Sequence, residues 1–319
     1  MATTNLRTAV SGLSDPAGLL QPVLDALNRI IVGKPRELRL CVACLLARGH
    51  LLIEDLPGVG KTTLAHALAK VMDLKYQRVQ FTSDLLPADV IGVSIYRRET
   101  GRFEFHKGPL FSQLLLADEI NRATPKAQSA LLEAMEERQV TADGTTYALP
   151  VPFFVVATRN PAQQIGTFPL PESQLDRFLM QITLGYPGPA EERELLANGD
   201  RRDLVDELPA LLSIEALVNL QQAVARVHLS EAVLDYVQSL VGHTRESGEF
   251  LMGLSPRGAI ALVRAAQAWA LMSGHEGVYP EDVQAVLPSV VAHRLVPAQG
   301  READLAGVGH AVLMAVPVP

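Results

Sequence analysis

Aromatic side chains are scarce in this chain of 319 residues: 5% of positions, with a single tryptophan. Alanine, leucine and valine carry the apolar content instead, which suits helices packed on a parallel sheet. Cysteine is scarcer still, with only Cys41 and Cys44. Their C-x-x-C spacing is shared by zinc and thioredoxin-like sites, but no second Cys or Cys/His pair follows at the spacing zinc needs. The surrounding run from Leu38 to Leu46 reads as a buried helix in which cysteine is a small hydrophobe. No apolar stretch of about eighteen residues is free of charge, and the best, Gly258 to Met272, contains Arg264, so no membrane span is expected. Positive charge is not in excess either. The formal net charge is -7, which argues against bulk attraction to nucleic acid. Met1 to Ser14 lack an apolar signal core, leaving a soluble cytoplasmic protein as the default expectation.

What is present points to a globular chain. Hydrophobic residues at 48% and charged residues at 20% exclude wholesale disorder, and the length amounts to about two domains at roughly 150 residues each. Residues 15 to 48 are helical in pattern, broken at Ile31-Val32-Gly33-Lys34-Pro35. Short apolar runs follow at Leu51 to Ile53, Tyr76 to Phe81, Leu114 to Ala117, Phe153 to Ala157 and Met180 to Leu184, bounded by turns or helical patterns. Strands alternating with helices imply a parallel sheet covered on both faces. Two hairpins interrupt it, Gly92 to Lys107 and Gln139 to Leu149, the second marked by Asp143-Gly144. The first domain is therefore α/β, residues 1–184. Gly185-Tyr186-Pro187-Gly188-Pro189 opens a linker, 185–213. Beyond it only helical stripes remain, over 214–319, with Ser255-Pro256 and Tyr279-Pro280 reading as helix starts. Gly300 to Pro319 reads equally as a final helix or a docked tail.

Chemistry concentrates at the ends of the apolar runs. Pro57-Gly58-Val59-Gly60-Lys61-Thr62-Thr63 follows a strand and opens a helix, the context in which a P-loop is credible. Glycines let backbone N–H groups wrap phosphates, Lys61 reaches the β- and γ-phosphates, and Thr62 offers a hydroxyl to Mg²⁺. The strict pattern wants glycine at position 55, where this chain has Asp55. Leu114 to Ala117 ends in Asp118 and Glu119. At a strand end beside a P-loop, Asp118 can hold the Mg²⁺ hydration shell and Glu119 can polarise the attacking water; the bland reading of the pair is a helix cap. Phe153 to Ala157 delivers Thr158 and Asn160 to the same sheet edge, as candidates to position that water.

Together these residues resemble the AAA+ ATPases, specifically the MoxR family, from about Ile31 to Gln284. Its most specific stretches are Leu116-Ala117-Asp118-Glu119-Ile120-Asn121-Arg122-Ala123, continued through Gln128 to Met135, and Gly166 to Phe178. The resemblance implies an AAA+ P-loop fold, a parallel sheet sandwiched by helices and followed by a small all-α lid. It implies that Asn160 is the sensor-1 residue, Arg177 the arginine finger and Arg257 sensor 2, reaching the γ-phosphate within its own subunit. Ile31, Val32 and Gly33 look like the stretch lining the adenine pocket, and the hairpins like two inserts of one AAA+ clade. It further implies ATP and Mg²⁺ as ligands, self-association into a hexameric ring, and a chaperone-like role on protein clients, often von Willebrand factor A domain or metal-containing partners. Arg159 stands where Gln is expected before the sensor asparagine; neither departure removes a group needed for hydrolysis.

Two rival functions remain at this point. A nucleic-acid motor would use Tyr96 to Lys107, where basic residues interleave with aromatics, but two acids dilute that charge and a solvated hairpin or subunit contact is the simpler reading. A nonhydrolysing nucleotide-dependent assembly factor is countered by Asp118, Glu119 and Asn160. A small-molecule kinase fits less well, because no phosphate-acceptor lid is evident.

Overall fold

Short runs, apolar in the inner strands and too short for helices, form the centre of the fold. The computed structural model describes residues 15–160, 166–199, 201–298 and 305–318; expectations about Met1 to Ser14 and about 300–304 lie outside them. Five parallel strands are β1 (Leu51–Glu54), β2 (Tyr76–Gln80), β5 (Leu114–Asp118), β8 (Phe154–Arg159) and β9 (Met180–Ile182), in the order β2-β5-β8-β1-β9. Successive side chains alternate between faces. Leu114, Leu116, Phe154, Val156, Leu51 and Ile53 enter one core cluster, while Leu115, Ala117, Val155, Ala157 and Leu52 enter another. Both faces are dry, as the runs predict for a parallel sheet.

On the first face lie α1 (Pro16–Ile30), α2 (Pro35–Leu46) and α3 (Lys61–Val71). The α2 helix is buried along nearly its whole length, and both cysteines are inside it as free thiols, raised in pKa chiefly by burial. That fits the hydrophobe reading rather than redox chemistry. On the second face lie α4 (Pro87–Ile91), α5 (Pro125–Glu137), α6 (Glu172–Leu175) and the two expected hairpins, β3 (Gly92–Arg97) with β4 (Arg102–Lys107) and β6 (Gln139–Ala142) with β7 (Thr145–Ala148). In the first hairpin Arg97 pairs with Glu104 at 2.9 Å, so part of its basic charge is already spent.

The expected linker is not a plain one. It contains α7 (Pro189–Asn198) and α8 (Arg202–Asp206), and α8 packs on α3 and α1. The acid-rich stretch Glu191 to Glu194 carries too few apolar residues to announce a core-facing helix, which is why the pattern reads as linker. The helical region follows as α9 (Ile214–Val224), α10 (Glu231–Glu246), α11 (Pro256–Met272), α12 (Pro280–Val291) and α13 (Leu305–Ala315). Ser255 caps α11 by accepting from Gly258 N–H, with Pro256 in the first turn. Asp282 accepts from Tyr279 N–H at the start of α12. The tail forms a helix on α12 and α10.

These helices do not form a detached lid. α11 packs on α1 and α2, α12 on β9, and their apolar residues join the first-face cluster. Gln221 on α9 donates to the Leu45 carbonyl at 2.8 Å, and Arg39 on α2 lies 4.7 Å over the Trp269 ring of α11. Every described helix is too short or too polar to cross a membrane.

Candidate nucleotide site

All five parallel strands deliver their C-terminal ends to one sheet edge, the usual ligand edge of such folds. There the turn from β1 to α3 encloses a cavity of about 1050 Å³. Gly58 and Gly60 have φ of +82° and +91°, a region that side chains with a Cβ rarely adopt. This conformation lets residues 57–63 wrap the start of α3, whose N-terminal N–H groups then face the cavity. Lys61 donates to the carbonyls of Asp55 at 2.6 Å and Leu56 at 3.0 Å. Burial lowers its pKa, opposed by Asp55, Asp118 and Glu119.

Asp55 has a use of its own. Buried, it accepts N–H bonds from Leu56 (2.8 Å), Leu184 (2.6 Å) and Gly185 (2.7 Å). It ties the root of the P-loop to the chain leaving β9, so the missing glycine is replaced by an anchor.

Asp118, Glu119 and Asn160 line the same cavity as residues 57–63, Ile31 and Val32. Gly33 lies just behind this wall, with the Glu191 side chain packed against it. Asp118 is buried; its Oδ1 accepts from the Thr158 hydroxyl at 2.6 Å, and its Oδ2 from Arg78 Nη2 at 2.7 Å and Nε at 3.2 Å. Thr158 in turn accepts from Glu119 N–H at 2.8 Å. Its one hydroxyl proton is thus engaged and it is completely buried, so it braces the acidic pair rather than facing a water. Glu119 takes up the left-handed region, φ +55°, a strained setting for a side-chain-bearing residue. Its Oε2 accepts from Gln80 (2.9 Å) and Arg122 (2.8 Å). Among the described residues no three His, Cys, Asp or Glu gather as a metal cage. Thr62 and Asp118 line the cavity beside the loop, and two such oxygens would fit Mg²⁺, a cation that takes one or two protein oxygens plus substrate phosphates. Apolar residues also line the cavity: Ile30, Ile31, Val32, Tyr186, Leu195 and Leu196.

The two candidate arginines lie elsewhere. Arg177 donates to the Leu132 carbonyl at 2.6 Å, and Arg257 pairs with Glu136 at 2.8 Å. Both partners are in the last turns of α5. Next to them the Met135 carbonyl contacts His50, and Arg138 donates to the Arg48 carbonyl, just before β1 begins. Arg257 therefore sits by the N-terminal edge of the sheet, opposite the P-loop. The expectation that it reaches nucleotide within its own subunit is not met here: Arg257 is paired with Glu136 and does not line the cavity.

Residues 50–180 match the ATPase family associated with various cellular activities (AAA), and residues 242–308 match the AAA lid domain. Chaperone MoxR1 of Mycobacterium tuberculosis is 41% identical over 89% of this chain and 78% of its own length. Protein MoxR of Paracoccus denitrificans is 36% identical over 97% and 99%. The chain belongs to the MoxR family of AAA+ ATPases. YeaC of Bacillus subtilis, an uncharacterized protein, is 46% identical over 87% of both chains. A crystal structure of a candidate ATPase from Cytophaga hutchinsonii superposes with a TM-score of 0.89 at 36% identity, covering 99% of each.

Within this MoxR-family site, sequence reading missed Arg78, Gln80 and Arg122 as participants. For the first two a signal existed. Val79 joins the second-face cluster, so Arg78 and Gln80 share the P-loop face of β2, at the strand end where Asp118 also sits. β2 is an edge strand on which Arg78 and Gln80 are exposed, so the signal is only their shared face and their place beside the strand that ends in Asp118.

Proposed function

We propose that the chain hydrolyses ATP with Mg²⁺ and uses the cycle to remodel protein partners, as a MoxR-type chaperone. The observation that carries this reading is the single cavity shared by Lys61, Thr62, Asp118, Glu119 and Asn160. Lys61 and the N–H groups of residues 58–63 bind the phosphates. Thr62 and Asp118 hold Mg²⁺, which when bound offsets the charge of the β- and γ-phosphates. Glu119 accepts the proton of the attacking water, after leaving Gln80 and Arg122, and Asn160 orients that water. The apolar part of the lining takes the adenine.

Arg177 and Arg257 cannot contribute from where they rest to the cavity of their own chain. Their common position on α5 supports a role in trans for both, in a head-to-tail ring of six subunits. A nucleic-acid motor is less well supported, because Glu104 pairs with Arg97 on the one basic hairpin. The clients are proteins, with von Willebrand factor A domain and metal-containing partners the first to try, and the compartment is the cytoplasm.

The test is Glu119→Gln. Loss of a general base lowers the rate by about 10²–10⁴, so phosphate release should fall at least about a hundredfold while calorimetry still detects ATP binding. The same variant, loaded with ATP, should retain a client through a pull-down that the parent releases. Parental hydrolysis by Glu119→Gln would remove Glu119 as the water-activating group.

A further inference from the structure

We propose that Arg78 is a positioning residue that occupies Asp118 in place of the metal and is displaced when Mg²⁺ and nucleotide arrive together. This rests on the reading of Asp118 as the metal-facing carboxylate.

Asp118 is buried at the end of a strand whose other residues are wholly apolar. A carboxylate there is costly without a counter-charge. Arg78 supplies it. Two guanidinium N–H groups converge on Oδ2, at 2.7 and 3.2 Å, while Thr158 takes Oδ1. The exposure of the two partners is unequal: the Arg78 side chain is 48% exposed and that of Asp118 is 11% exposed. One partner is fixed by the sheet and by Thr158, and the other ends a long, half-solvated arm. Register explains the reach, since Arg78 lies opposite Leu116 on the neighbouring strand and extends forward to Asp118.

Oδ2 cannot keep both guanidinium bonds and also face the hydration shell of a divalent cation. Two positive groups would then meet on one oxygen and repel each other. The arm with solvent around it is the one that moves. Without metal, however, Arg78 is useful: it neutralises Asp118 next to incoming phosphates. Arg78 should therefore favour nucleotide binding in the absence of metal and oppose it slightly in its presence.

The experiment is calorimetry of a nonhydrolysable ATP analogue, in MgCl₂ and in EDTA. The proteins are the parent, Arg78→Gln, Arg78→Met, Arg78→Lys, Asp118→Asn and the double variant Arg78→Gln/Asp118→Asn, each checked by thermal melting. Either neutral replacement that folds suffices. The ratio of affinities with and without Mg²⁺ should rise at least about tenfold for a neutral residue at 78, and most of the change should be a loss in EDTA. Arg78→Lys should keep the ratio near the parent value, and the effect should vanish in the Asp118→Asn background. An unchanged ratio, an equal loss in both buffers, or an effect that survives Asp118→Asn would overturn the proposal. If Asp118→Asn leaves the Mg²⁺ preference of the parent intact, the metal role of Asp118 itself is wrong. If that variant removes the preference while Arg78→Gln does not alter it, only the role of Arg78 is wrong.

Discussion

His50 occupies a place that does not accommodate a positive charge. Completely enclosed, its ring accepts from Val155 N–H at Nδ1 (3.0 Å) and faces the Met135 carbonyl with Nε2 (3.3 Å), so the neutral Nε2–H form fits both partners. Burial pushes its pKa down to about 4, with Arg138 adding to the fall and the Met135 bond opposing it. Because the folded value lies below the unfolded one near 6.5, the unfolded chain binds more protons between them. The stabilising contribution is full above about pH 6.5, is lost progressively toward pH 4, and amounts to about 3 kcal/mol. Urea unfolding of the parent and of His50→Gln at several pH values checks this: the variant should start less stable and lose less between pH 7 and 4. Equal pH slopes would remove His50 as a source. At this same scale, the residues that share the cavity were legible because the chemistry expected of them needs fixed types at fixed spacing: Lys61, Thr62, Asp118 and Glu119. His50 and Arg78 were not, because each matters through partners 40 or more positions away, and no local pattern encodes such a meeting.

Asp55 shows how an element end can be held by a residue that a motif marks as a defect. Its three accepted N–H bonds join the start of the P-loop to the end of β9, and Lys34 adds a bond to the Tyr186 carbonyl at 2.9 Å on the same exit path. Restoring the strict pattern with Asp55→Gly should therefore harm rather than help. Buried charge-assisted hydrogen bonds contribute about 1.5–3 kcal/mol each, not additively, so a loss of about 2–4 kcal/mol in denaturant midpoint analysis is expected, with weaker nucleotide binding. Stability equal to the parent would mean that water replaces the carboxylate. Strands and both hairpins were legible as elements, since short apolar runs bounded by turns and Asp143-Gly144 are local signals. α7 and α8 were not. α8 packs on α1 and α3 through few apolar side chains, α7 buries none, and a proline- and glycine-rich entrance reads as linker whether or not helices follow it.

For the molecule as a whole, neither Arg177 nor Arg257 lines the cavity of its own chain. Arg177 is over a hundred residues from Lys61 in sequence and rests on α5, as does Arg257, by the sheet edge away from the P-loop. The segment that carries Arg177 is clamped: Asp176 accepts from Arg294 Nε at 2.7 Å and from the Ser255 hydroxyl at 2.9 Å. Arg294 is almost fully buried there, so the segment that carries Arg177 is tied to the helical region. The proposed head-to-tail ring would present that segment to a neighbour's nucleotide. A guanidinium supplied in trans can stabilise the transferring phosphoryl group by about 10³–10⁵ in rate. Hydrolysis should therefore rise steeply with protein concentration. Arg177→Ala and Lys61→Ala should each be inactive alone, for different reasons: one retains its P-loop but offers no finger, the other the reverse. On mixing, a subunit lacking only Arg177 can borrow that residue from a Lys61→Ala neighbour, and activity should return to a fraction of the parent rate set by how often such neighbours meet. Phosphate release across a series of mixing ratios, with sedimentation to demonstrate mixed rings, measures this directly. Co-assembly without any recovery would place the finger within its own chain, and α11 and the 175–179 segment would then have to swing across the sheet to deliver it.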